Sequence, residues 1–549
     1  MKRIDRRAFV RAGLVISAGS VLSACSASGS PHAGHGSSGS GLILPGDPRV
    51  RAVEGQRRST GRTRAYTLTA APTRVDLGGP KVTTWAYGGE LPGREIRVRK
   101  GDVIEATLVN QLPAETTIHW HGLALRNDMD GVPAMTQQAI RSGSTFTYRF
   151  VADTPGTYWF HPHTGVQQDR GLYAPLIIED PDEPAPYDAE WVVVLDDWID
   201  GVNGTPDELL AELRQGMGHG GHDMGGNPPQ DGGGMDHGGH GMDHGGHGMD
   251  HGGHGMAASA RVNPVAARST PMPGGGRLLM GARSSLLGGD AGDVRYPHYL
   301  INGRVVTAPR TLAAKPRQRV RIRLINAGGD TAFRVALGGH RLTVTHTDGF
   351  PVRPVEVDAL LIGMGERYDV LVTLDDGVFP LVALAEGKNA TGLALVRTGA
   401  GSPPPATIRP KELDGKILRY ADLTPAPSVL LPVKTADVTH RMELTGDMMS
   451  YSWGINGKAF DPERVATIRE GQRVRVIFAN KTTMWHPMHI HGHTFQINGT
   501  GPRKDTVNVL PGQSVTCDFD ADNPGQWMVH CHNVYHAESG MMTVLGYRA

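Results

Sequence analysis

The stretch His530-Cys531-His532-Asn533-Val534-Tyr535-His536-Ala537-Glu538-Ser539-Gly540-Met541 decides how the rest of the chain is read. In a strand, residues i and i+2 share one face and i+1 takes the other. His530 and His532 therefore point one way and Cys531 the opposite way. One short strand then serves two metal centres, joined through the backbone of Cys531.

Three further clusters extend the pattern: His119-Trp120-His121, His161-Pro162-His163, and His486-Pro487-Met488-His489-Ile490-His491. One thiolate, two imidazoles and a weak axial thioether make the blue-copper electron-transfer site. Cys531, His486, His536 and Met541 supply that set. The eight histidines left over are His119, His121, His161, His163, His489, His491, His530 and His532. They are too many for one ion and suit a three-copper cluster. A structural zinc site is a closed tetrahedron of Cys and His and does not call for ten histidines around one thiol. A lone His-x-His is ordinarily a packed or surface pair, but four clusters around one cysteine are not, and copper fits best.

Working outward, the 549 residues are too many for one hydrophobic core, and two to four domains are expected. Short alternating runs recur at 95–99, 103–109, 145–150, 191–195, 319–325, 341–345, 370–374, 473–478 and 514–519, broken by Gly and Pro. They argue for β-sandwiches or barrels over helical bundles. A phrase returns three times: Lys100-Gly101-Asp102, Ala314-Lys315-Pro316 and Glu470-Gly471-Gln472 each precede a run that closes on Asn110, Asn326 or Asn480. The repetition predicts three homologous all-β domains in tandem.

From about 201 to 293 the apolar periodicity lapses. Three direct heptads, Asp-His-Gly-Gly-His-Gly-Met, fill residues 236–256. So much glycine cannot bury a core, and a disordered Gly/His/Met-rich insertion over about 203–290 of the second domain is expected. Basic and acidic residues balance at 55 each, which gives no sign of a nucleic-acid partner. With only three cysteines (Cys25, Cys517, Cys531) a disulfide framework is excluded. Cys517 reads as a small buried apolar side chain, and His298, His340, His346, His440 and His493 as structural or packed residues.

At the N-terminus, Lys2, Arg3, Arg6, Arg7 and Arg11 precede an apolar run over 12–22 that is too short to span a bilayer. Arg6-Arg7-Ala8-Phe9-Val10 resembles a twin-arginine export signal. Leu22-Ser23-Ala24-Cys25 resembles a lipobox that would leave Cys25 lipidated. The alternative is an ordinary cleavable signal with an incidental cysteine. The expected order is an export signal over 1–25 and a flexible tether over 26–44, with the protein anchored by lipid at the outer face of the cytoplasmic membrane or in the periplasmic space.

With these motifs in place the chain resembles the three-domain multicopper oxidases, above all the bacterial periplasmic cuprous oxidases and their actinobacterial lipoprotein relatives. The resemblance covers about 45 to the C-terminus. It implies cupredoxin-like domains at 45–185, 186–425 and 426–549, and four copper ions: one type 1, one type 2 and two type 3. By motif position, His486, Cys531, His536 and Met541 bind type 1. His119 and His489 bind type 2, and His121, His161, His163, His491, His530 and His532 bind the type 3 pair. Asp130 matches the family's acidic proton donor, the alternative being that Asp130-Gly131 is only a turn. Electrons from a reduced donor would enter at His486 or His536, expected near the surface, and cross Cys531 to His530 or His532. Dioxygen would be reduced to water.

The donor is less determined. Met/His heptads suit Cu(I), and Met484 stands where cuprous oxidases place a substrate-copper methionine. The acid expected two residues earlier is Thr482, so Asp447, Met448 and Met449 become candidates to complete that site; Met448-Met449 as gap-filling apolar residues is the alternative. The acid that follows the type 1 histidine in some relatives is Ala537 here, with Glu538 next. Three classes stay open: an oxidase of Cu(I) or Fe(II) for copper tolerance, a laccase-like oxidase of small phenols, and a copper-sequestering lipoprotein. A monomer is expected.

Overall fold

The three repeats fold alike, each around the strand that closes on asparagine. These are Asp102–Asn110, Arg319–Asn326 and Arg473–Asn480. Each pairs in parallel with an earlier strand (Thr63–Asp76, Ala189–Trp198, Val438–Asp447) and antiparallel with a later one (Thr145–Ala152, Arg367–Thr373, Ser514–Asp520). The architecture comes from a computed structural model that describes residues 41–183, 186–216 and 276–549. Cys25, the export and lipobox motifs, most of the tether and the heptads lie outside the described residues. No described helix is long and apolar enough to cross a membrane.

A second sheet completes each sandwich. In the first, Ile96–Arg99, Ala174–Glu179, Gly156–His161 and His119–His121 run in that order, and residues of both sheets share one core, among them Ile104, Leu108 and Phe150 with Ile96, Tyr158 and Leu176. The corresponding sheet of the last sandwich places Met542–Tyr547, Gln526–Cys531 and His486–Ile490 side by side. In the middle one the equivalent strands are Ala390–Arg397, Val378–Ala385 and Phe333–Leu337. They carry no His or Cys, so the middle sandwich presents no metal ligand where its neighbours do.

The recurring asparagine has one job in all three. Asn110 donates from Nδ2 to the carbonyls of Ala114 and Ile140 and accepts Leu112 N–H. Asn326 does the same with Thr331, Ile362 and Gly328. Asn480 does so with Met484, Val509 and Thr482. In the first and last sandwiches this clamp fixes the loop that leads into His119 and into His486.

One expectation needs correcting. Ordered structure reaches into the segment 203–290 from both sides. Thr205 caps a helix over Pro206–Leu213 through a capping box with Glu208, and Leu209, Leu210 and Leu213 are buried. Arg277 pairs with Glu208 and Glu212 at 3.2 and 2.7 Å, and Arg283–Ser284 pairs with Gly289–Asp290. The apolar positions of this helix are few and follow the glycine-poor 203–216, which the composition of the whole segment had masked.

Asn326→Leu leaves two carbonyls and one N–H buried without partners, so it should cost about 3 kcal/mol of stability while the blue colour persists. Urea unfolding measures it, and a shift below about 1 kcal/mol would show that the clamp is dispensable.

Candidate metal centre

Strand pairing brings the histidine clusters together. His486–Ile490 lies antiparallel to Gln526–Cys531, with Met488 opposite Cys531 and His489 opposite His530. His119–His121 lies against Gly156–His161, with His119 opposite His161. The short helix Val534–Glu538, capped by the Asn533 side chain on the N–H groups of Tyr535 and His536, turns His536 back toward Cys531.

On the thiol's face, Cys531 Sγ is 3.6 Å from His486 Nδ1 and 3.7 Å from His536 Nδ1, and the two nitrogens are 3.2 Å apart. The centre of that triangle is about 2.0 Å from each corner, a metal–imidazole bond length and slightly short of the ~2.3 Å of a metal–thiolate bond. The opposite ring nitrogens set the tautomers: His486 Nε2–H donates to Thr482 Oγ1 at 2.8 Å and His536 Nε2–H to Asp293 Oδ2 at 3.0 Å. Burial pushes the Cys531 thiol up, so a bound cation is what would draw out its thiolate. Met541 is buried beside the triangle, its carbonyl accepting Cys531 N–H and its N–H donating to His536 C=O.

The other eight histidines converge between the first and last sandwiches. His119, His161, His489 and His530 donate Nδ1–H to the carbonyls of Asp130, Pro162, Asp505 and Cys531, and His491 donates Nδ1–H to Asp130 Oδ2, all at 2.8–2.9 Å. Their Nε2 atoms are left facing inward. His491 Nε2 and His530 Nε2 are 3.0 Å apart, and His532 Nε2 and His121 Nδ1 3.2 Å. The Nε2 atoms of His119, His161 and His489 are buried without a hydrogen-bond partner. Ligand atoms of His163, His491 and His530 lie within 4.8 Å of one another, as do those of His119, His121 and His161 and those of His119, His489 and His491.

Burial, and then the neighbouring rings, hold most of these imidazoles well below their ordinary pKa, His530 down to about 4. Neutral rings aiming lone pairs at one another suit a metal cation, and an all-imidazole donor set fits copper.

Around the histidines several further side chains take definite positions. Asp130 is no surface turn: it is fully buried between His119 and His491, and burial raises its carboxyl. Gly131, at φ +84°, has no room for a Cβ, which would fall 1.8 Å from Ile118 O. His486 and His536 are 0% exposed, against the expectation that one sits near the surface. Trp453 covers them, its ring 4.2 Å from that of His536. Met484 is buried, and an isolated bridge sets Asp290 beside it, with the Asp290 carboxyl pushed up to about 6 by burial. Asp447 closes its own turn on Ser450, Met448 packs against the core that includes Met484, and Met449 is 59% exposed.

Glu538, one place beyond the apolar Ala537, lines a cavity of about 20 Å³ with His163, His530 and His532, and burial raises its carboxyl. Cys517 is core, and His493 donates Nδ1–H to His491 C=O. Sequence reasoning missed Asp293, Asp505 and Trp453, whose contacts to the histidines span up to 384 positions and leave no local signal.

A two-sheet sandwich repeated three times, with a Cys–His₂ triangle backed by an eight-histidine cleft, defines a copper-dependent oxidase class. Residues 69–183, 282–401 and 434–548 each match the family described as "Multicopper oxidase". The chain is 46% identical to "Multicopper oxidase MmcO" of Mycobacterium tuberculosis, over all of this chain and 97% of that protein. It is 27% identical to "Copper resistance protein A" of Escherichia coli, over 87% of this chain and 91% of that one. The solved structure of Fet3p, titled as a multicopper oxidase that functions in iron import, superposes with a TM-score of 0.67 at 20% identity, covering 88% and 90% of the two chains. The chain belongs to the multicopper oxidases, and it is an oxidoreductase that passes electrons from a reduced donor to dioxygen.

Because these histidines have depressed pKa values, their contribution to stability is present above the unfolded value of 6.5 and is lost as pH falls toward that of His530, about 4. Each should cost about 1.4 kcal/mol per pH unit below 6.5. Calorimetry on copper-free protein should therefore show the melting temperature falling steeply between those limits; a flat profile would mean that the imidazoles are charged in the folded chain.

Proposed function

We propose that this protein oxidises Cu(I) and serves copper tolerance, with one type 1, one type 2 and two type 3 copper ions. His486, Cys531, His536 and Met541 would hold type 1. His119 and His489 would hold type 2, and His121, His161, His163, His491, His530 and His532 the type 3 pair. Copper, when bound, supplies the one-electron carriers that gather four electrons for dioxygen. The chain's part is to orient the imidazoles, keep water out and deliver protons. Asp130, whose buried carboxyl touches His119 and His491, is the proposed proton donor.

The burial of His486 and His536 carries the choice of donor. A phenol needs an imidazole edge on which to lie, and here Trp453 and Asp293 occupy those edges. A metal ion held by soft and acidic side chains beside Met484 needs no such edge. Asp290, set beside Met484 by a backbone bridge, would supply the carboxylate that Thr482 lacks. Thioether and imidazole in the 236–256 heptads suit Cu(I), and similarity to proteins named for copper resistance points the same way. Export by the twin-arginine route and lipid attachment at Cys25 would place the activity at the outer face of the membrane.

Oxygen uptake with Cu(I), Fe(II) and a small phenol in parallel tests the donor, and Cu(I) is expected to be fastest. Faster turnover of the phenol would make the protein a laccase-like oxidase.

Cys531→Ser should bleach the blue colour, remove about one copper and abolish oxidation. Deleting 217–256 should weaken cuprous oxidation and spare the phenol. In cells, Cys531→Ser is expected to cost more copper tolerance than the deletion, because a tract binds a fixed number of ions whereas an oxidase turns over. The reverse order would make the protein a sequestering one.

A further inference from the structure

His121 is turned the other way round from its neighbours. His119, His161, His489, His491 and His530 send Nδ1–H outward and Nε2 inward. His121 instead sends Nε2 outward, 3.1 Å from Asp505 Oδ1 and 3.3 Å from Thr506 Oγ1, and keeps Nδ1 inward, 3.2 Å from His532 Nε2. An ionised carboxylate only accepts, so the proton sits on Nε2 and the lone pair on Nδ1 faces the cleft.

Asp505 is itself held from the middle sandwich. Arg367 grips both its oxygens, Nη1 to Oδ1 at 2.7 Å and Nη2 to Oδ2 at 2.6 Å. The same guanidinium donates to Thr157 C=O and Gly365 C=O, at 3.0 and 3.1 Å. Asp348 accepts Arg367 N–H, Asp505 N–H and Thr506 N–H, and pairs with Lys504 at 3.1 Å. Arg367, Asp348, Lys504 and Asp505 are all 0% exposed. Gly365, at φ +83°, presses so closely that a Cβ there would lie 2.8 Å from His532 Cδ2 and 3.0 Å from His121 Cε1.

We infer that the middle sandwich, whose strands equivalent to the histidine-bearing ones carry no His or Cys, sets the tautomer and angle of His121 through Arg367 acting on Asp505, so that both are positioning residues for the type 3 pair. A buried ion pair is weak evidence for stability, because apolar replacements of similar volume often stabilise. Its geometry here, a two-pronged fork on the one carboxylate that reverses one imidazole, fits orientation. The assignment rests on the copper roles proposed above.

The test combines Asp505→Asn, Arg367→Gln and Arg367→Lys in the full chain, with copper counts, spin counts by electron paramagnetic resonance, and nitrogen-15 shifts of the histidines in copper-free protein. Asp505→Asn and Arg367→Gln should stay blue but bind copper at the type 3 position about 10- to 100-fold more weakly. The magnetically coupled pair should be lost, and the spin-detectable share of the remaining copper should rise. Arg367→Lys keeps the charge without the fork and should show the same change in smaller measure, even if the other two fold poorly. Copper-free wild type should show one cluster histidine protonated on Nε2, and Asp505→Asn should lose that signal.

Wild-type coupling in all three variants, or no Nε2-protonated histidine in the copper-free protein, would overturn the inference. A merely structural role would lower the melting temperature and leave the spin count and the tautomer unchanged. A wild type that is colourless when fully loaded would defeat the copper assignment instead.

Discussion

Burial favours the neutral form of imidazoles packed into one cleft, and neutral imidazoles have to put their protons somewhere. Each ring has one N–H and one lone pair. If the N–H groups faced the cleft they would meet other N–H groups, and the outward lone pairs would meet carbonyls. For six of the eight cleft histidines the chain resolves this by offering acceptors on the outside: the carbonyls of Asp130, Pro162, Asp505 and Cys531, and the carboxylates of Asp130 and Asp505. The lone pairs of these rings are thereby turned inward, and the Nε2 atoms of His119, His161 and His489 meet no hydrogen-bond donor there. The cleft is costly to fold without metal, and that cost is the reason it binds metal.

Placing the acceptors demands a rigid frame, because a ligand error of about an ångström is enough to spoil such a site. The frame is the repeated sandwich. The asparagine clamps hold the loops into His119 and His486 by three hydrogen bonds each. The middle sandwich, freed of ligands, supplies buried charge instead: Arg367 and Asp348 reach Lys504 and Asp505 of the last sandwich, and Arg367 also reaches Thr157 of the first. Three domains thus meet at one carboxylate.

The parts of this design that were legible beforehand are those written locally. Strand alternation separated Cys531 from His530 and His532. The triplicate phrase ending in asparagine announced the three sandwiches, although the reason for the asparagine emerged only from its bonds. Hidden were the groups that act across the chain. Arg367 lies in a strand and Asp505 at a bend between two strands, neither of unusual composition, and Asp293 falls at the edge of a glycine-rich stretch whose average texture hid it. Solvent exposure was misjudged at His486 and His536 because Trp453 and Asp293 close over them from distant segments. Burial is a property of the assembled surface, and no periodicity within 486–491 or 530–541 encodes it.

The two centres are coupled by more than proximity. Cys531 sends its sulfur to one side while its own carbonyl accepts the Nδ1–H of His530 at 2.8 Å on the other. The thiol and the imidazole are therefore linked twice, through the covalent backbone and through that hydrogen bond. The same bond also fixes the tautomer that turns His530 Nε2 toward His491. A single peptide unit thus sets the ligand orientation of one centre and its connection to the other. A residue inserted between His530 and Cys531 would break both at once, because the period of two that assigns each side chain its face admits no extra member.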